Sequence, residues 1–373
     1  MRTVVVTGAD GFLGRNLIVR LEREDPPLRV LAITRRDTSR SAAGKVVEAD
    51  VVYHLAGVNR PQRVEEFEEV NVGFTEEVVQ HALRGDRRPA IVLASSTQAD
   101  GASEYGRSKR RAEEILERYA TERGGTAILY RLPNVFGKWA RPEYNSVVAT
   151  FCHRLARDRP IDIHDRGAPL RLVHVDDVVE GFRRHIDGRS GRGVERPDVQ
   201  PLYETTVGEL ADRLHSFRDI RVTLEVPDMA DRFTRLLYAT YLSYLPTDDL
   251  AYAPPGRADE RGTLTELLKS GHFGQVFVST TRPGVTRGGH YHHAKAEKFC
   301  VLRGEAIIRF RRLGDDAVLD VPVSGDRAMV VDIPPGYTHS IENVGEEDMI
   351  VLFWASEVFD PGRPDTWPER VEA

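Results

Sequence analysis

Leu13, Leu17 and Leu21 recur every four residues, and Ala112, Leu116 and Ala120 repeat that spacing. An apolar stripe of this period marks one buried face of an amphipathic helix. Between such stripes lie short β-branched runs, Thr3–Val6, Arg29–Ile33, Val51–Leu55, Ala90–Leu93 and Thr126–Tyr130. Runs that are apolar on both faces predict strands buried on both sides. Their alternation with helices predicts an α/β doubly wound parallel sheet of Rossmann type. The pattern changes across Tyr244–Gly262, where Leu245-Pro246-Thr247-Asp248-Asp249 and Ala253-Pro254-Pro255-Gly256 break both periods. Beyond it come Gln275–Thr281, Lys298–Arg303, Glu305–Arg311, Ala317–Val323, Met329–Ile333 and Met349–Ala355, punctuated by Gly304, Gly314-Asp315-Asp316 and Gly325-Asp326. Short strands at that spacing predict an all-β sandwich or barrel. Two domains are expected, residues 1–246 and 247–373, with Asp360–Ala373 as a loosely held polar tail.

The bulk numbers narrow the function classes. A chain of 373 residues has room for two cores, and its net charge of −6 gives no electrostatic footprint for nucleic acid or an anionic membrane. Only Cys152 and Cys300 are present, which fits a reducing compartment rather than a disulfide framework. Met1–Val6 runs straight into a glycine motif with no signal-peptide pattern, and no apolar stretch approaches the roughly 20 residues that cross a bilayer. A cytoplasmic protein is expected.

Thr7-Gly8-Ala9-Asp10-Gly11-Phe12-Leu13-Gly14 follows a strand and opens a helix, the context that a dinucleotide turn requires. Gly8 permits the tight turn, Gly11 lets backbone approach a pyrophosphate, and Gly14 permits close helix–strand packing. Phe12 and Leu13 place their N–H groups at the helix start, where phosphates bind. The next strand ends in Thr34-Arg35-Arg36-Asp37. Arg35 and Arg36 favour a 2′-phosphate and hence NADPH, while Asp37 keeps NADH open. Tyr105 and Lys109 are four apart on one helical face after Ser95-Ser96. Lys109 is expected to stabilise the Tyr105 phenolate and lower its pKa, and Ser96 to hydrogen-bond a reacting carbonyl.

With His54-Leu55-Ala56-Gly57, these residues resemble the extended short-chain dehydrogenase/reductase family. The resemblance implies a nicotinamide cofactor, with Leu55, Ala56 and Gly57 beside it, and a nucleotide-sugar substrate. Arg131–Gly137 and Val173–Val178 match its substrate side, so that Asn134 would face the sugar nucleotide and Arg171 its diphosphate. The segment between the second and third strands is shorter than the family's, and the acidic pair often found before the third strand is missing.

The second candidate site lies near the other end. His290 and His292 share a strand face, Glu297 follows five residues later, and His339 belongs to another strand. Three imidazoles and a carboxylate suit Zn²⁺, Fe²⁺, Mn²⁺, Ni²⁺ or Co²⁺, with Zn²⁺ first among them. A lone His-x-His is commonly a surface feature without metal. The full set, Gly289-His290-x-His292, Glu297, Gly304, Pro334-x-Gly336-x-x-His339 and Asn343, resembles both motifs of the cupin family. That implies a small double-stranded β-barrel with the metal in its mouth.

From Thr7 to about Thr366 the chain resembles the bifunctional capsular-polysaccharide enzymes that fuse such a reductase to a cupin and make UDP-2-acetamido-2,6-dideoxy-L-talose. Asn134–Trp139, Tyr144–Cys152, Tyr241–Pro246, His290–Phe299 and Val331–His339 carry this likeness. It implies metal-assisted C3 epimerisation of a UDP-4-keto-6-deoxy-N-acetylhexosamine, then NADPH reduction at C4, in a homodimer that binds neither nucleic acid nor membrane. Lys298, Tyr337 and His293 are candidates for acid and base in the barrel. A reductase whose cupin only binds or dimerises, and an oxygen-using iron cupin, are the other readings.

Overall fold

A computed structural model describes residues 1–186, 193–254, 256–259, 262–265, 268, 270, 274–357 and 360–372. Pro255 and Ala373, which the sequence reading assigned to a breaker and the tail, lie outside them.

In chain order the first elements are β1 (Thr3–Thr7), α1 (Phe12–Leu21), β2 (Arg29–Ile33), α2 (Ser39–Val47), β3 (Val51–His54), α3 (Phe74–Arg84), β4 (Ala90–Ser96), α4 (Glu104–Arg123), β5 (Thr126–Leu132), β6 (Asn134–Phe136) and α5 (Val147–Leu155). There follow β7 (Pro169–His174), α6 (Val175–Arg183), β8 (Gly193–Glu195), β9 (Tyr203–Thr206), α7 (Val207–Thr223), α8 (Arg232–Leu242), β10 (Ala251–Tyr252), β11 (Gly256–Asp259) and β12 (Gly262–Thr265). The remaining strands are β13 (Gln275–Thr281), β14 (Thr286–Tyr291), β15 (Glu297–Arg303), β16 (Glu305–Arg312), β17 (Val318–Ser324), β18 (Val330–Ile333), β19 (Tyr337–Asn343), β20 (Met349–Ala355) and β21 (Trp367–Pro368).

Two compact units result: Met1–Ser146 with Leu170–Glu204, and Val147–Pro169 with Thr205–Ala373. In the first, six strands form a parallel sheet in the order β2-β1-β3-β4-β5-β8. Val4, Val6, Tyr53, Val92 and Ile128 fill one face, and Val5, Val52, Ile91, Leu93 and Ala127 the other. Burial on both faces explains why these strands read as unbroken apolar runs. The strand order reverses between β1 and β3, the switch point outside whose carboxyl ends ligands bind in such sheets. The glycine turn sits there, at the end of β1. Helix α4 is fixed at both ends: Ser103 Oγ accepts from Gly106 N at 3.0 Å, and Gly124 closes it at φ 70°.

The second unit carries two five-stranded antiparallel sheets, β10-β18-β15-β20-β13 and β17-β16-β19-β14-β21. Phe299 of β15 meets His339 of β19 with ring centroids 5.7 Å apart, so the two sheets share an interior. Helices α7 and α8 pack on the outer side of the first sheet. Arg221 Nη2 of α7 lies 3.0 Å from Asp332 of β18, and Tyr238 of α8 receives Lys298 of β15 over its ring. The expected boundary at 246/247 therefore falls inside this unit.

The expected loose tail is held down over its described residues, 360–372. Trp367–Pro368 pairs with Tyr291 and His290 of β14, Glu369 N donates to Gly289 O at 2.8 Å, and Arg311 binds Glu369 and the carbonyls of Arg370 and Val371. A polar composition conceals this because the bonds are made by backbone, which composition does not report.

Candidate active sites

In the first unit Gly8 has φ 63° and lies against Ala56, where a Cβ would come within 2.8 Å of backbone. A Cβ on Gly14 would stand 2.2 Å from Gly8 O. Both positions are closed to other residues by backbone contact. Gly11 starts α1 with no side-chain cap, which leaves the first N–H groups, those of Phe12 and Leu13 among them, for an anion. Arg35 and Arg36 are exposed and have no carboxylate partner among the described residues. Asp37 is committed elsewhere. It pairs with Lys45 and accepts from Thr34 N at 2.9 Å, and those contacts hold its carboxyl well below the usual range.

A buried chain of hydrogen bonds joins the glycine turn to α4. Thr7 Oγ1 accepts from Leu55 N at 3.2 Å and Ala56 N at 3.1 Å, so its own proton goes to His54 Nδ1 at 2.9 Å. His54 Nε2 then donates to Thr75 Oγ1 at 2.9 Å, and Thr75 to Asn71 O at 2.7 Å. His54 stays neutral, its pKa pushed down to about 3 by burial and then by the charge of Lys109. Asn71 sits in a π-helical turn, Phe67–Gly73, and donates to Ser108 Oγ at 2.9 Å. Its Oδ1 and Lys109 Nζ occupy the space where a side chain on Gly57 would go. The sequence reading missed Asn71 and Thr75, because no spacing sets them apart from helix residues.

Ser96, Tyr105 and Lys109 come together. Ser96 is near enough to favour the Tyr105 phenolate, and Lys109 Nζ lies 6.0 Å from the Tyr105 ring centroid while donating to Ala94 O at 2.9 Å. One expectation fails: the Tyr105 pKa is raised, because burial outweighs the effect of Ser96 and Lys109 is not among the groups that shift it. Lys109 itself is pushed down to about 8 by burial, against the pull of Glu113. Asn134 is exposed at the start of β6, beside Leu172 of β7; the neighbouring Arg171 is also exposed, with Glu204 3.5 Å away.

In the second unit His290, His292, Glu297 and His339 place one donor atom each within 4.8 Å of one another. His292 Nε2 and His339 Nε2 stand 3.2 and 3.6 Å from Glu297 Oε2. Two donors each about 2.1 Å from a tetrahedral ion lie about 3.4 Å apart, so these separations fit a shared cation. His292 Nδ1 meets Asp365 O at 2.5 Å and must carry the proton, so Nε2 presents a lone pair to a carboxylate. Two lone pairs face each other across that gap unless a cation stands between them. His292 Nε2 and His339 Nε2, the two nitrogens that face Glu297, are buried without a hydrogen-bond partner, as bare ligands would be. Burial, then the neighbouring imidazoles, pushes His290 down to about 4, so its ring is neutral and able to ligate.

His292 lies just past the end of β14, and His293 turns away to Trp367, ring centroids 5.6 Å apart. Of the acid–base candidates, Lys298 is removed. It points away from Glu297 on the other strand face, pairs with Asp332 and lies over the Tyr252 ring. Tyr337, two residues before His339, shares that ligand's strand face.

Comparison with known proteins agrees with both halves. Residues 4–194 match the NAD dependent epimerase/dehydratase family. The chain belongs to that family. Residues 257–367 match the polysaccharide biosynthesis C-terminal domain. A UDP-2-acetamido-2,6-beta-L-arabino-hexul-4-ose reductase of Pseudomonas aeruginosa is 44% identical over 98% of this chain and 97% of its own. The crystal structure of the capsular polysaccharide assembling protein CapF from Staphylococcus aureus superposes with a TM-score of 0.67 at 42% identity, covering 99% of this chain and 100% of that one. The UDP-glucuronic acid 4-epimerase of Bacillus cereus in complex with NAD shares the fold at 16% identity and a TM-score of 0.52, over 58% of this chain and 82% of its own. The protein is an enzyme of the NAD-dependent epimerase/reductase family with an antiparallel all-β second part of cupin type. No helix among the described residues is long and apolar enough to cross a membrane.

Proposed function

We propose that this enzyme converts a UDP-4-keto-6-deoxy-N-acetylhexosamine to UDP-2-acetamido-2,6-dideoxy-L-talose for polysaccharide synthesis, in two steps on separate units. The second unit inverts C3 and the first reduces C4. The observation that carries this reading is the four-donor cluster of the second unit, which a simple ketoreductase does not require. The likeness to a hexulose reductase over the whole chain supports the substrate class.

His290, His292, Glu297 and His339 would hold one divalent cation, Zn²⁺ by the donor set. Bound there, such an ion would supply Lewis-acid polarisation of the C4 carbonyl, which would acidify the adjacent C3–H. The chain holds the His292 tautomer through Asp365 O and keeps the donors dry, which strengthens every charge interaction inside.

For reduction, Gly8, Gly11, Phe12, Leu13 and Gly14 cradle the pyrophosphate, and Leu55, Ala56 and Gly57 form the wall beside the cofactor. When bound there, NADPH would supply the hydride for C4. Arg35 and Arg36, unpaired beside a committed Asp37, favour its 2′-phosphate over the bare ribose of NADH. Tyr105 donates its proton to the C4 oxygen, Ser96 orients that oxygen, and charged Lys109 supports the phenolate as it forms. Asn134 and Arg171 meet the sugar nucleotide.

The test is to incubate the enzyme with NADPH and the keto sugar in D₂O and to follow the product by NMR. Deuterium at C3 together with NADPH loss is expected. NADPH loss with protium retained at C3 would reduce the barrel to a binding module on this substrate.

A further inference from the structure

The last residues of the chain lie on the candidate metal site, and their contacts form a consistent set. Asp365 O takes the Nδ1 proton of His292 at 2.5 Å. Its carboxylate accepts from three consecutive amides, His293 N at 2.9 Å and Ala294 and Lys295 N at 2.7 Å each. Those three residues form the turn that leads from His292 to Glu297. Lys295 Nζ donates to Thr366 Oγ1 at 2.8 Å and stands 3.8 Å from Glu297 Oε1. Pro368 pairs with His290, and Thr338, next to His339, donates to Glu369 O. The segment thus touches His290 and His292 directly, His339 through its neighbour Thr338, and Glu297 through the Lys295 side chain.

We propose that residues 365–369 form a strap that positions the metal ligands, with Asp365 as the positioning residue, so that strap docking and metal binding are thermodynamically coupled. The inference rests on the metal reading above. Without the Asp365 carboxylate, the turn to Glu297 loses the anchor for three N–H groups that no strand pairs, and the strap loses the tie that keeps the Asp365 backbone carbonyl on His292 Nδ1. Groups that hold a metal ligand's outer nitrogen typically contribute about 10–100-fold to affinity. Coupling is reciprocal, so whatever the strap gives the metal, the metal returns to the strap.

The experiment uses the full chain and Zn²⁺ alone, titrated against a chromophoric chelator. Asp365→Ala should bind Zn²⁺ about 10–100-fold more weakly than the unaltered protein. Asp365→Asn, which keeps one acceptor oxygen, should fall between them. A role confined to folding would lower the melting temperature of the metal-free chain and leave Zn²⁺ affinity within twofold, and that outcome overturns the proposal. Should Asp365→Ala not fold, hydrogen exchange on the unaltered protein decides. The amides of His293, Ala294 and Lys295 should exchange more slowly with Zn²⁺ bound, and unchanged rates overturn the coupling. An unaltered protein that binds no Zn²⁺ overturns the metal reading and the strap together, whereas Zn²⁺ binding indifferent to Asp365 overturns the strap alone.

Discussion

Among the described residues each unit buries two lysines, Lys109 and Lys138 in the first and Lys295 and Lys298 in the second, and Lys109 and Lys298 end in opposite states. Lys109 is 7% exposed and Lys298 is 4% exposed. Lys109 donates to a neutral carbonyl, Ala94 O, and burial brings it down to about 8, within reach of working pH. Burial acts on Lys298 in the same direction, but Asp332 and the rings of Tyr238 and Tyr252 hold it well above its ordinary value. Removal from water therefore does not make a lysine reactive; the partner left to it decides. A lysine left with a carbonyl, and only the weaker pull of Glu113, can give up its proton near neutral pH. One locked to a carboxylate, which is itself tied to Arg221 of a packing helix, joins two layers of a fold.

Four experiments sharpen or break that contrast. Tyr105→Phe removes the proposed proton donor beside Lys109, and NADPH oxidation should fall about 10²–10⁴-fold; a loss under tenfold in single-turnover kinetics would remove Tyr105 from the proton path. Asp332→Ala strands the Lys298 charge and should cost about 3–5 kcal/mol in urea unfolding, while Lys298→Met combined with Asp332→Leu should recover most of it. A cost below 1 kcal/mol would show that water reaches this pair. The third concerns pH. A lysine whose folded pKa is depressed to about 8 loses its charge early, so NADPH oxidation should decline as pH rises through about 8, and Lys109→Arg should move that decline upward. The stability sign follows from the same shift. The unfolded chain binds the proton more tightly, so the protein should gain stability relative to Lys109→Met as pH rises from about 8 toward 10.5. A flat difference across that window would contradict it. The smallest effect is expected for the Arg35→Ser, Arg36→Ser pair, which should cut the preference for NADPH over NADH about tenfold, read from the ratio of kcat/KM values.

The two sites differed in what their residues disclosed. The glycine turn is local, and the backbone contacts that exclude a Cβ at Gly8 and Gly14 arise within a stretch readable as one motif. The metal donors span 49 positions from His290 to His339, yet strand alternation and a spaced Pro-x-Gly-x-x-His kept them legible. Alternation also placed Lys298 opposite Glu297, and weighing that period would have withdrawn it as an acid–base candidate. The rise in the Tyr105 pKa was not legible, since burial belongs to the fold and not to a spacing of four. Asp365 was hidden for another reason. It acts through its own carbonyl and through amides of the turn after His292, and backbone partners leave no mark on residue type.

The central claim is that proton exchange at C3 and hydride transfer at C4 belong to different units. The most direct measurement follows C3 deuteration of the keto sugar by Tyr105→Phe in D₂O, with Zn²⁺ supplied and NADPH left out. Exchange at the rate of the unaltered protein, in a variant that no longer oxidises NADPH, is the predicted result. Exchange lost together with reduction would mean that one site does both, and would contradict the account.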